Sequence, residues 1–124
     1  MQISEIEQRT ISGIGDNSYK SAIRNLCAPF GLSSLVVHEE TLQPGANGSK
    51  PHFHTFKEEL IVVLQGEIRA TCGENVELLS SGSVYGFPCG PDNTHYVTNV
   101  GDVEARYLSI GVMEPEDQVV YEKG

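Results

Sequence analysis

The residues best equipped for chemistry lie between Pro51 and Gly66, P-H-F-H-T-F-K-E-E-L-I-V-V-L-Q-G. His52 and His54 are one residue apart, and in an extended strand residues i and i+2 share a face. Both imidazoles then project to one side, their Cα atoms about 7 Å apart by the strand rise. That arrangement can chelate a single metal ion. Two adjacent carboxylates, Glu58 and Glu59, follow, and a third histidine, His95, stands just after the loop P-C-G-P-D-N-T. Neutral imidazole suits Zn, Fe, Ni, Cu and Mn, and a carboxylate extends the range toward harder ions. Three histidines and one carboxylate would fill four positions of an octahedron and leave two for water or substrate. Open positions distinguish a working site from a sealed structural one. A plain surface histidine pair is the alternative reading, but it leaves the carboxylate and the third histidine unexplained. Glu58 and Glu59 face opposite sides of a strand, so spacing alone does not choose between them.

The elements that must hold these groups read as strands. Gly31 to Leu42 has β-branched and alternating positions, with His38 inside it as an exposed or packed strand histidine. Gln43 to Lys50, Q-P-G-A-N-G-S-K, is a loop. Strands are then expected over 51–54, 59–65, 68–72, 76–80, 83–87, 95–99 and 103–111, separated by Gly-, Asn- and Asp-rich turns. The prolines of 88–94 exclude a central strand there. Short strands with turns every eight to twelve residues point to an all-β sandwich or barrel. Residues 1–27 read as an irregular N-terminal arm, with a helical turn near Ser4 to Arg9 and a short strand or helical turn from Ser21. Gly13 and Gly15 do not make a phosphate loop, because no strand precedes them. Residues 28–124 form the domain, ending in an acidic tail from Met113.

Composition narrows the function. A chain of 124 residues is one domain. Its net charge of −9, with no basic cluster, argues against nucleic acid as a partner. No apolar run approaches the roughly 18 residues that span a membrane, and the polar, acidic start is unlike a signal peptide. The three cysteines, Cys27, Cys72 and Cys89, have no metal-like spacing and read as reduced thiols of a cytoplasmic protein.

The motifs resemble those of the cupins. His52-x-His54-x4-Glu59-x6-Gly66 matches the first cupin motif, and the match favours Glu59 over Glu58 as a ligand. The leading glycine, Gly45, is one residue further from His52 than the motif asks. Gly82-x5-Pro88-x-Gly90 and His95-x3-Asn99 match the second motif, with four residues rather than two between Gly90 and His95. Gly86 to Gly90, G-F-P-C-G, is similar to the signature of small bacterial cupins akin to mannose-6-phosphate isomerase, with Cys89 in place of alanine.

The resemblance implies a double-stranded β-helix, or jelly-roll barrel, with one divalent transition metal (Zn, Fe, Mn or Ni) on His52, His54, Glu59 and His95. It implies a metal-dependent enzyme acting on a small anionic or polyhydroxy molecule. A non-catalytic binding or sensing module is the alternative, and a homodimer is the expected assembly. Gln65, Tyr85 and Asn99 are candidates to line the cavity or orient the ligands. Tyr85, Glu58 and Cys89 are the candidate catalytic groups, although nothing around Cys89 marks it as a reactive thiol. A phosphosugar site would need two or more of Lys50, Lys57, Arg69 and Arg106 to converge.

Overall fold

A computed structural model describes residues 1–11 and 21–122. Eleven strands make two antiparallel sheets: β1 (Gln8–Ile11), β2 (Ser21–Asn25), β3 (Leu35–Leu42), β4 (His52–His54), β5 (Glu59–Gln65), β6 (Glu67–Cys72), β7 (Asn75–Ser80), β8 (Val84–Phe87), β9 (His95–Asn99), β10 (Ala105–Val112) and β11 (Val119–Tyr121). One sheet has the order β1-β2-β3-β10-β5-β8 and the other β11-β4-β9-β6-β7. Their inner faces pack together as a jelly roll, as the resemblance implies.

Alternation along the strands builds the core. Ile61 and Val63 of β5, Ile68 and Ala70 of β6, Val97 of β9, Tyr107 of β10 and Leu42 of β3 are buried, while their sequence neighbours are less so. Each fully buried aliphatic chain contributes about 1.5–3 kcal/mol. Between β5 and β6 the chain reverses at Gly66, with φ +81°; a Cβ there would lie 2.9 Å from the Ala105 Cα.

Three segments differ from expectation. The stretch read as an irregular arm is partly regular: β1 pairs with β2, and β2 with β3, at the sheet edge. The helical turn near the start is a single 3-10 turn, Ile3–Glu5. Gly13 and Gly15 lie outside the described residues. The acidic tail also holds a strand, because Val119, Val120 and Tyr121 pair with His54, Phe53 and His52 along the open edge of β4. An unpaired β4 edge would leave its amides to water or to another chain, and the tail closes it. Among the described residues no helix is long and apolar enough to cross a membrane.

Candidate metal centre

Four ligand atoms of His52, His54, Glu59 and His95 lie within 4.8 Å of one another. Each sheet contributes. His52 and His54 share a face of β4, and His52 sits directly across from His95 of β9. Glu59 comes from the facing sheet, where the β5 alternation that buries Ile61 and Val63 also turns Glu59 inward. Glu58, one residue earlier, is exposed at the cavity rim.

Each imidazole is oriented from behind. His52 Nδ1 donates to the Lys50 carbonyl at 2.8 Å, His95 Nδ1 to the Asn93 carbonyl at 2.9 Å and His54 Nδ1 to Asp117 Oδ2 at 2.8 Å. A carbonyl only accepts, so Nδ1 carries the proton in His52 and His95, and Nε2 offers a lone pair. The Phe87 ring stacks on His95 at 4.2 Å and fixes its plane. Ser109 of β10 donates to Glu59 Oε1 at 2.6 Å, leaving the other carboxylate oxygen for the cluster.

The fit to a cation is visible at one contact. Among the described residues His95 Nε2 is buried without a hydrogen bond, and it lies 3.3 Å from Glu59 Oε2. Two acceptors that close repel unless a proton or a metal ion stands between them. The nitrogen-and-oxygen donor set without thiolate suits Zn, Fe, Mn or Ni. Burial pushes the Glu59 carboxyl up, but a positive charge on the His95 side, where a proton or a cation would stand, and the Ser109 hydroxyl outweigh it and hold the group below the usual carboxylate range. Burial lowers the His52 pKa, partly opposed by the Lys50 carbonyl. Both shifts favour the forms that ligate.

The cluster forms one wall of a cavity of about 280 Å³, whose lining includes exposed Glu58, Val119 and Tyr121. Space therefore remains for a ligand beside the cluster. His38 lines the cavity but stands outside the cluster.

The other expected residues divide. Tyr85 packs beside Phe87, with ring centroids 5.4 Å apart, and like Cys89 it is absent from the cavity lining. Gln65 bonds to the Glu104 carbonyl and to Arg106. Asn99 is 1% exposed and pins the Leu42 and Val103 carbonyls and the Gly101 amide. Both hold structure rather than the cavity. Of the four basic residues, Lys57 alone lines it, while Arg106 is bound to Glu39.

Sequence reasoning missed Glu40, Tyr107, Ser109 and Asp117. The alternation H-x-E in β3 and Y-x-S in β10 could have placed the first three on the inner face. Nothing local marks Asp117.

The comparisons agree on the fold. A family model described as "Cupin domain" matches residues 38–111. A sugar phosphate isomerase from a cupin superfamily, from Silicibacter pomeroyi, is 25% identical with a TM-score of 0.86, covering 100% of this chain and 82% of that one. A polyketide cyclase from Streptomyces resistomycificus is 21% identical with a TM-score of 0.80, covering 100% and 84%. A protein from Thermotoga maritima described as a "predicted oxalate decarboxylase" is 20% identical with a TM-score of 0.77, covering 91% and 97%. A search of the curated proteins finds no match to the sequence.

Proposed function

The chain belongs to the cupin family, and on that premise we propose that it is a metal-dependent enzyme acting on a small polyhydroxy or anionic molecule. The observation that carries this reading is the orphaned, buried His95 Nε2 facing Glu59 beside a cavity with room for a ligand. His52, His54, Glu59 and His95 would hold the metal, which when bound supplies Lewis acidity toward substrate oxygens. The remaining work falls to the chain. Phe87, Val97 and Ile61 exclude water from the inner wall, and Tyr107 and Ser109 carry the hydroxyls there.

Charge narrows the ligand further. Glu40, Glu58 and Glu59 line the cavity, against Lys57 as its one Lys or Arg among the described residues. A phosphate dianion binds best where several cations converge. With a divalent ion bound, its charge and that of Lys57 are offset by the three carboxylates, so the lining supports an uncharged or singly charged ligand over a phosphorylated sugar, which weighs against the mannose-6-phosphate isomerase-like subgroup.

A binding or sensing module is the second reading. It is favoured by the absence of Tyr85 and Cys89 from the cavity, which leaves Glu58 as the one sequence-derived catalytic candidate there. Metal analysis of purified protein, followed by a turnover screen of polyols, sugars and small carboxylates with the metal-loaded form, tests the proposal. Metal-dependent turnover lost in His54→Ala is the expected result. Tight ligand binding without turnover would favour the module.

A further inference from the structure

Two glutamates adjacent in sequence have different surroundings on β3. Glu39 is 1% exposed, with Arg24 at 2.8 Å on one oxygen and Arg106 at 3.2 Å on the other. Both its oxygens are satisfied by cations, so it serves the sheet. Glu40 faces the other way and lines the cavity that holds the cluster. Among the described residues it has no salt-bridge partner.

Its neighbour is a phenol. Tyr107 of β10 lies directly across from Glu40 in the strand pairing, and both line the cavity. Tyr107 is 2% exposed, so the ring is fixed by packing. Gly48 makes room for it, because a Cβ at that position would lie 2.6 Å from the Tyr107 hydroxyl. Burial pushes the Glu40 carboxyl up to about 7, with the Tyr107 hydroxyl opposing and the Glu59 charge assisting. A carboxyl in the cavity wall with no cation paired to it is free to take a proton from a bound molecule and return it.

We propose that Glu40 is the proton-transfer group of this site, acting on a carbonyl compound with a C–H bond next to the carbonyl. The inference rests on the enzymatic reading above. The Glu40 carboxylate takes the proton from that carbon. The C–H electron pair becomes the C=C bond of an enolate, and the carbonyl π pair moves to its oxygen. Glu40, now a carboxylic acid, returns the proton to the same carbon, the oxygen lone pair re-forms the carbonyl, and no oxidant or reductant is consumed. Glu58 lacks this setting because it is exposed at the rim.

The test uses the metal-loaded protein in D2O, with dihydroxyacetone and pyruvate as probes and proton NMR following loss of the C–H signals. Wild type should exchange at least one probe faster than metal in buffer. Glu40→Gln should lower that rate about 10²–10⁴-fold while keeping metal content and melting temperature. In a second arm, glycidol is offered to the wild-type protein: a carboxylate oxygen opens the epoxide, the alkoxide takes a proton from water, and mass spectrometry locates the ester. An ester on Glu40 is expected, and it should abolish exchange. Exchange by E40Q within a few-fold of wild type would overturn the proposal and leave the enzymatic reading standing. No exchange of either probe by wild type would overturn the proposal, while the enzymatic reading would stand or fall on the turnover screen. Should E40Q fail to fold, labelling decides, and esters confined to other carboxylates would refute the role.

Discussion

His54 Nδ1 and Asp117 Oδ2 meet at 2.8 Å across 63 residues of sequence. The other oxygen of Asp117 accepts the Phe56 and Lys57 amides, each at 2.9 Å. One carboxylate thus ties the tail to the β4–β5 turn and sets the tautomer of a candidate ligand. Outer partners of this kind commonly carry 10–100-fold in metal affinity. Asp117→Ala should therefore weaken metal binding by about that factor in competition titrations. Asp117→Asn, which keeps an acceptor, should lose less. Equal affinity in wild type and Asp117→Ala would show that the ring is fixed by β4 alone.

The metal should stabilise the fold, because it joins β4, β5 and β9. At free metal 100-fold above Kd the gain is about 2.7 kcal/mol, or about 10 °C in a domain of this size. Chelation should lower the melting temperature by that order, and re-addition should restore it. His54→Ala should lose most of the bound metal and His38→Ala should not. Glu59→Gln should cost more metal than Glu58→Gln. Equal metal in the His54 and His38 variants would refute the cluster.

Acid should act in one direction. The folded pKa of His52 lies below the ordinary imidazole value of 6.5, chiefly because burial disfavours the imidazolium. A depressed pKa means the unfolded chain takes up the proton first. The stability tied to neutral His52 is fully present above 6.5 and is lost as pH falls through the folded value. Protonated imidazole also cannot ligate. Metal retention should fall below that pH, and melting temperature with it. Metal held unchanged well below it would contradict the histidine ligation.

Much of this site was legible because its signals are local. His52 and His54 share a face by strand period alone, and the fixed spacing to Glu59, Gly66 and His95 marks the motif. Gly66 could be read because its left-handed backbone excludes other residues. A Gly66→Ala change should cost about 1–2 kcal/mol for conformation, with the close approach to Ala105 adding to it. Asp117, by contrast, matters only through contacts 60 to 63 residues away. Its segment, E-P-E-D-Q, looks like any solvated acidic tail. Gln65 and Asn99 could be read either as cavity groups or as structural ones, because polar residues inside a barrel can serve loops as readily as a cavity, and their bonds are to the loops. Glu40 was overlooked because Glu39 and Glu40 together resemble a charged exposed edge.

The assembly prediction rests on one sheet face. Leu35, Leu60, Val84 and Val112, each between 42% and 59% exposed, lie on the outward side of the six-stranded sheet. The strand register aligns Leu35 with Val112, Val37 with Ile110 and Leu60, and Val62 with Val84, so the apolar side chains form one continuous surface. A face of that kind, left bare, favours self-association through a two-fold contact. Light scattering at micromolar concentration should give twice 13.5 kDa. Replacing Leu60 and Val84 together with lysine should shift the mass to that of a single chain without altering bound metal, since both side chains point away from the cluster. A clean monomer in the wild-type protein would overturn the prediction. A dimer that survives both substitutions would move the contact to another face.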